Sequence, residues 1–183
     1  DTHFMGRGLP ASLLSLGLLA GACSDAGHAT LRVTAYGEEF IEDRIPADVL
    51  VDGWEIDFRR FLVAVSEVEA DGEPLAGAFV VDLTQGSGGE GHALGTITVP
   101  AEGQPALGFR VAPLVDATPV AATADDVATL VDAGASLWVE GSATKSGQVI
   151  DFAWAFATDT RYVECQSTAE LVDGGDAQSQ LTF

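Results

Sequence analysis

Apolar and polar side chains alternate along much of this chain. Leu31, Val33 and Ala35 take every second position against Arg32, Thr34 and Tyr36, the period of a strand with one buried face. Gly37 ends that run, and residues 38–45 read as a short helical turn or ordered loop stopped by Pro46. Trp54, Ile56 and Phe58 then share a face, but the next alternating set, Phe61, Val63 and Val65, is displaced by one residue. A slip of one turns every side chain of a strand to the opposite face, so Arg59-Arg60 predicts a β-bulge or the join of two strands. Val68 and Ala70 extend the pattern to a turn at Asp71-Gly72.

Phe79, Val81 and Leu83 alternate again and lead into a glycine-rich loop, residues 86–92. Two further strands are predicted at 94–99 and 107–111, with Pro100 and Pro105 framing their connection. Thr123 before Ala124-Asp125-Asp126 predicts a capped helix start with acids at its positive end, and Gly134 is its natural stop; Val127, Leu130 and Val131 form its apolar stripe. A hairpin follows, turning at Lys145-Ser146-Gly147 and placing Ile150, Phe152, Trp154 and Phe156 on one face, where four bulky side chains are expected to anchor the core. Residues 177–183 alternate like a strand and stop without turn or tail, as in a chain cut short at its C-terminus.

Burying each large apolar side chain is worth roughly 1.5 to 3 kcal/mol, and this many strands bury theirs by packing as two sheets face to face. The predicted fold is therefore mainly β, a two-sheet antiparallel β-sandwich with one short helix near residues 124–133. An outer-membrane barrel would need polar inward faces and aromatic girdles that these strands lack.

The start of the chain changes the picture. Arg7 precedes an apolar stretch, residues 9–20, too short for a permanent membrane span and of signal-peptide length. Ala20-Gly21-Ala22 then runs into Cys23 and the polar Ser24-Asp25, which resembles a lipobox, the signal that bacterial lipoprotein-processing enzymes read. Ala20 stands where that pattern prefers leucine, and Leu19 sits one place further out. The resemblance implies a signal peptide over 1–22, lipidation of Cys23, a tether over 23–29 and a sandwich domain over 30–183. It implies a location in the bacterial cell envelope, lipid-anchored at the periplasmic or outer-membrane surface. An ordinary secretory signal cut near Ala22 and a buried N-terminal helix are the alternatives.

Removing residues 1–22 leaves about 160 residues, the length of one domain. It takes away one acid and one base, Asp1 and Arg7, so the net charge stays at −20. Nucleic acid, whose phosphates need Lys and Arg, is excluded as a partner. Lys145 is the only lysine, in keeping with an acidic surface that serves solubility. With Cys23 lipidated, Cys165 would have no mate in the chain; a buried apolar thiol, a bond to a partner and a mate lost with a missing C-terminus are all open.

Chemistry is thinly signalled. The 86–91 loop lacks the lysine and hydroxyl residue of a phosphate-binding loop, and no Gly-x-Ser-x-Gly, His-Glu-x-x-His or Cys-x-x-Cys pattern occurs. Glu38, Glu39, Glu42 and Asp43 are the candidate ligands for a divalent cation, with Asp48 and Asp52 close behind, although no calcium loop of the regular spacing is formed. His92 is a lone candidate metal ligand. Trp54, Trp138 and Trp154 read as core residues before pocket lining, and Arg59 and Arg60 as partners of nearby acids before an anion site. The leading expectation is a non-enzymatic envelope binding or structural module whose partner is a protein, a glycan or a cation. The alternatives are a divalent cation-binding or metal-handling periplasmic protein and a carboxylate-dependent glycan hydrolase.

The order Phe61-Leu62-Val63, Gly72, Val81-Asp82-Leu83, Val99-Pro100, Phe109-Arg110-Val111 and Val139-Glu140-Gly141 before an aromatic strand is similar to that of copper-binding periplasmic proteins of methanobactin operons. The resemblance spans residues 30–157 and implies a β-sandwich. That family carries a histidine in its last aromatic strand, where this chain has Phe152-Ala153-Trp154-Ala155-Phe156, so copper binding does not carry over. The chain also resembles uncharacterised bacterial lipoproteins that share Tyr36-Gly37-Glu38-Glu39-Phe40-Ile41 and Asp52-Gly53-Trp54.

Overall fold

The computed structural model describes residues 27–183, so the predicted signal peptide and Cys23 lie outside the described residues. In chain order the elements are β1 (His28–Tyr36), α1 (Glu38–Glu42), β2 (Glu55–Ala70), β3 (Glu73–Pro74), β4 (Ala78–Asp82), β5 (His92–Pro100) and β6 (Ala106–Val111). After them come β7 (Thr118–Val120), α2 (Ala124–Ala133), β8 (Leu137–Lys145), β9 (Gln148–Phe156), β10 (Thr160–Gln166) and β11 (Asp176–Thr182). β1 thus takes in His28 and Ala29 at the end of the predicted tether.

The fold is a β-sandwich. A three-stranded sheet, ordered β11-β1-β5, packs on an eight-stranded sheet whose central path is β10-β6-β2-β4-β7. Pairing is antiparallel except for β1 with β11 and β4 with β7, which run parallel. The alternation read in β1 becomes the core directly: Leu31, Val33 and Ala35 are fully buried and meet Val63, Val65, Val68, Val81, Phe109 and Val111 of the larger sheet. A smaller cluster lies on the outer face of that sheet, where Leu62, Ala64 and Val80 are covered by Leu130 of α2. The helix is set by its ends: Thr123 and Asp126 exchange the reciprocal bonds of a capping box, and Gly134 closes the other end in the left-handed conformation.

β2 is one long strand with a bulge. Its register against β8 shifts between Phe58 and Arg60, so the extra residue at Arg59 brings Ile56, Phe58, Phe61 and Val63 onto one face. A second irregularity, between Ser66 and Glu69 against β6, leaves Glu67 at φ 50°. β8 and β6 follow one another along the same edge of β2, opposite β4.

That arrangement overturns one expectation. Ile150, Trp154 and Phe156 do not anchor the core; they are 45%, 51% and 45% exposed. β9 pairs with β8 alone, and the hairpin projects from the first half of β2 as an arm beyond the three-stranded sheet. The periodicity is that of a buried strand, but among the described residues no second layer lies over it.

Candidate functional site

The arm carries the most conspicuous surface of the described residues. Facing residues of an antiparallel sheet point the same way, so the register sorts its inner face into rungs. Val63, Leu137 and Phe156 make one, followed by Phe61, Val139 and Trp154, then Phe58, Gly141 and Phe152, then Ile56, Ala143 and Ile150. In both of the first two rungs the β9 residue is the exposed one: Val63 and Val139 are buried and Phe61 and Leu137 partly so, while Phe156 and Trp154 are about half exposed. Phe152 stacks on Trp154 with centroids 4.3 Å apart and meets Phe58 edge-on at 6.2 Å; Phe58 meets Phe61 edge-on at 5.5 Å. The Phe152 ring lies over Gly141, where an added Cβ would come within 2.6 Å of it and within 2.3 Å of the Asp57 carbonyl oxygen.

The outer face of the arm is tied down by ions. Arg59 donates to Asp151 at 2.8 Å, and Arg60 bonds Asp126, Thr129 and Glu140. The expected pairing of these arginines with acids holds, though the partners lie more than sixty residues away in sequence. Trp138 sits half-buried on the smaller cluster and donates to Glu140, while the Lys145 ammonium stands 5.9 Å from the centre of the Trp54 ring. Of the three tryptophans, Trp154 is thus the exposed one.

A second surface is an open groove of about 590 Å³ flanked by Pro74, Leu75, Pro113 and Leu114. A chain of charges crosses it. Asp159 accepts two bonds from Arg110 at 2.7 and 2.8 Å, Arg110 and Arg161 both donate to Glu67 at 2.8 Å, and Arg161 stands 3.6 Å from Glu69. The bonds from Arg110 hold the Asp159 carboxyl below its usual range, and those from Asp159 and Glu67 keep the guanidinium protonated. Nothing in the sequence pointed to this groove, because its members are brought together from three separate strands and a loop. Each arginine is already engaged by carboxylates, so the charges are spent within the protein.

The predicted cation ligands are not brought together. Glu38, Glu39 and Asp43 face solvent, and the Glu42 carboxylate accepts from the Ser87 N–H and hydroxyl at 3.1 and 2.5 Å, which staples α1 to the glycine-rich loop. Among the described residues no three His, Cys, Asp or Glu side chains converge as a metal site. His92 bonds the Gln85 carbonyl through Nε2 at 2.7 Å, and His28 lies seven residues along β1 from the position facing His92, about 23 Å away at strand spacing. Cys165 packs half-buried against the main core.

No protein-family model, curated protein or solved structure matches the chain. No helix of the described residues is long and apolar enough to cross a membrane.

Proposed function

We propose that this chain is a lipid-anchored, non-enzymatic assembly module of a bacterial cell envelope, processed at Cys23, which holds another polypeptide on its aromatic arm. The observation that carries the reading is that arm's apolar face: half-exposed Ile150, Trp154 and Phe156 in register on an arm that no other element covers among the described residues. Contiguous exposed apolar area of this kind marks interaction surfaces. Among the described residues the two carboxyls with displaced pKa, Asp126 and Asp159, are both lowered, opposite to what a general acid needs. The anchor rests on the run from Arg7 through the apolar 9–20 stretch to Cys23.

Metabolic labelling with a palmitate analogue tests the anchor: the wild-type chain is expected to take up label and Cys23→Ala to lose it, and equal labelling of both would overturn it. An apolar fluorescent dye tests the face, with Trp154→Glu expected to lower dye binding. Unchanged binding would remove the arm as the docking surface.

A further inference from the structure

We infer that the polypeptide held on the arm is a second copy of this chain, joined by antiparallel pairing of the two β9 edges in the register that sets Phe152 opposite Phe152. The inference rests on the arm being a docking surface. β9 is regular against β8 over all nine residues and leaves its other edge without a strand among the described residues. Such an edge presents a row of unpaired N–H and C=O groups, which proteins usually blunt with Lys, Pro, a bulge or a very short strand. β9 is long and regular and lacks Lys and Pro, and its one charge, Asp151, is paired with Arg59, whereas the edge strand β7 is three residues long with Pro119, and β10 carries Arg161, Glu164 and a register shift.

Charge permits a copy of the chain at the arm alone and selects the register. At −20, two copies repel over most of their surfaces. The arm is the exception, because the two acids of β8 and β9 each stand against an arginine of β2: Glu140 at 3.4 Å from Arg60 and Asp151 at 2.8 Å from Arg59. With Phe152 at the centre, all nine residues pair. Ile150 then faces Trp154, Val149 faces Ala155 and Asp151 faces Ala153. A register centred one residue earlier would set Asp151 against its own copy, and like charges directly opposite are unfavourable. An aromatic ring can bury roughly 150–250 Å², so the half-exposed side chains and the strand edge amount to at most about 400 Å² per copy, half of a standard interface. A weak, concentration-dependent dimer follows, of a strength that two copies tethered to one membrane would favour by raising their effective concentration.

Sedimentation of the full chain in non-ionic detergent, over a hundredfold concentration range, tests the pairing. Wild type is expected to shift from monomer to dimer, while Trp154→Glu alone and Ile150→Lys alone stay monomeric. An equimolar mixture of the two variants is expected to dimerise again, because this register faces the new acid with the new base in one pair and restores Ile150 against Trp154 in the other. Recovery in the mixture also shows that both variants are folded. In a Cys165→Ser background, Phe152→Cys is expected to form a disulfide-linked dimer in membranes under mild oxidation, since facing Cα atoms stand about 4.5–5.5 Å apart. Val149→Cys, separated from its own copy by about 20 Å in this register, is not. A wild type that stays monomeric, or a dimer indifferent to both charged variants, would overturn the inference. A monomer whose dye binding still depends on Trp154 would leave the docking face with a different occupant, and one without dye binding would sink both readings.

Discussion

Two carboxylates, Asp82 and Asp126, are set into the fold while most acidic side chains of the described residues face solvent. Asp82 is 5% exposed and accepts from the Phe61 and Thr84 N–H groups, the Thr84 hydroxyl and the Gln85 amide, so its charge is met by donors in place of a cation. Burial pushes the Asp126 carboxyl up, but the Thr123 hydroxyl and N–H together with Arg60 outweigh it and hold the group below its usual range. A carboxyl lowered in the folded state contributes stability that is complete above its unfolded pKa, about 4, and is lost as pH falls through the folded value. Asp126→Asn is therefore expected to lower stability at neutral pH and to flatten the loss between about pH 4 and the folded value. Urea unfolding across that range checks it, and an unchanged acid limb would contradict the assignment.

At the scale of elements, the β8–β9 arm is held to β2 by its ion pairs and by the fit of one ring over one glycine. Gly141 lacks a Cβ where Phe152 and the Asp57 carbonyl leave no room for one. Gly141→Ala is expected to cost about 1–3 kcal/mol and to displace the Phe152 ring from its stack on Trp154, read by denaturant unfolding and near-ultraviolet circular dichroism. A neutral effect on both would show that the ring is not seated there. The hairpin turn itself has Ser146 and Gly147 both at positive φ, and Asp71-Gly72 repeats the same device between β2 and β3. Positive φ at both central residues is how two-residue turns match strand twist.

For the whole molecule, a net charge of −20 strains the compact state by self-repulsion. Sodium chloride is expected to raise the melting temperature through screening. At matched ionic strength, calcium, magnesium and chelator are expected to give the same melting temperature, since Glu38, Glu39, Glu42 and Asp43 do not converge. A rise specific to calcium would show that the early acidic segment rearranges around the ion.

Whatever depends on local backbone physics was legible in the order of the residues. Alternation marked β1, β2 and the β8–β9 hairpin, the one-residue slip at Arg59-Arg60 located the bulge, and Thr123 and Gly134 bounded α2. It did not show β7 or β10, whose apolar pattern is short or broken. The non-local features follow from packing alone: that residues 176–182 return to pair in parallel with β1, that Arg110, Arg161, Glu67 and Asp159 meet in one groove, and which apolar faces are covered. Leu31-x-Val33-x-Ala35 and Phe152-x-Trp154-x-Phe156 share one period, but the first lies under a second sheet and, among the described residues, the second does not. Periodicity states that a face is apolar; only the position of the opposing layer settles whether that face becomes core or surface.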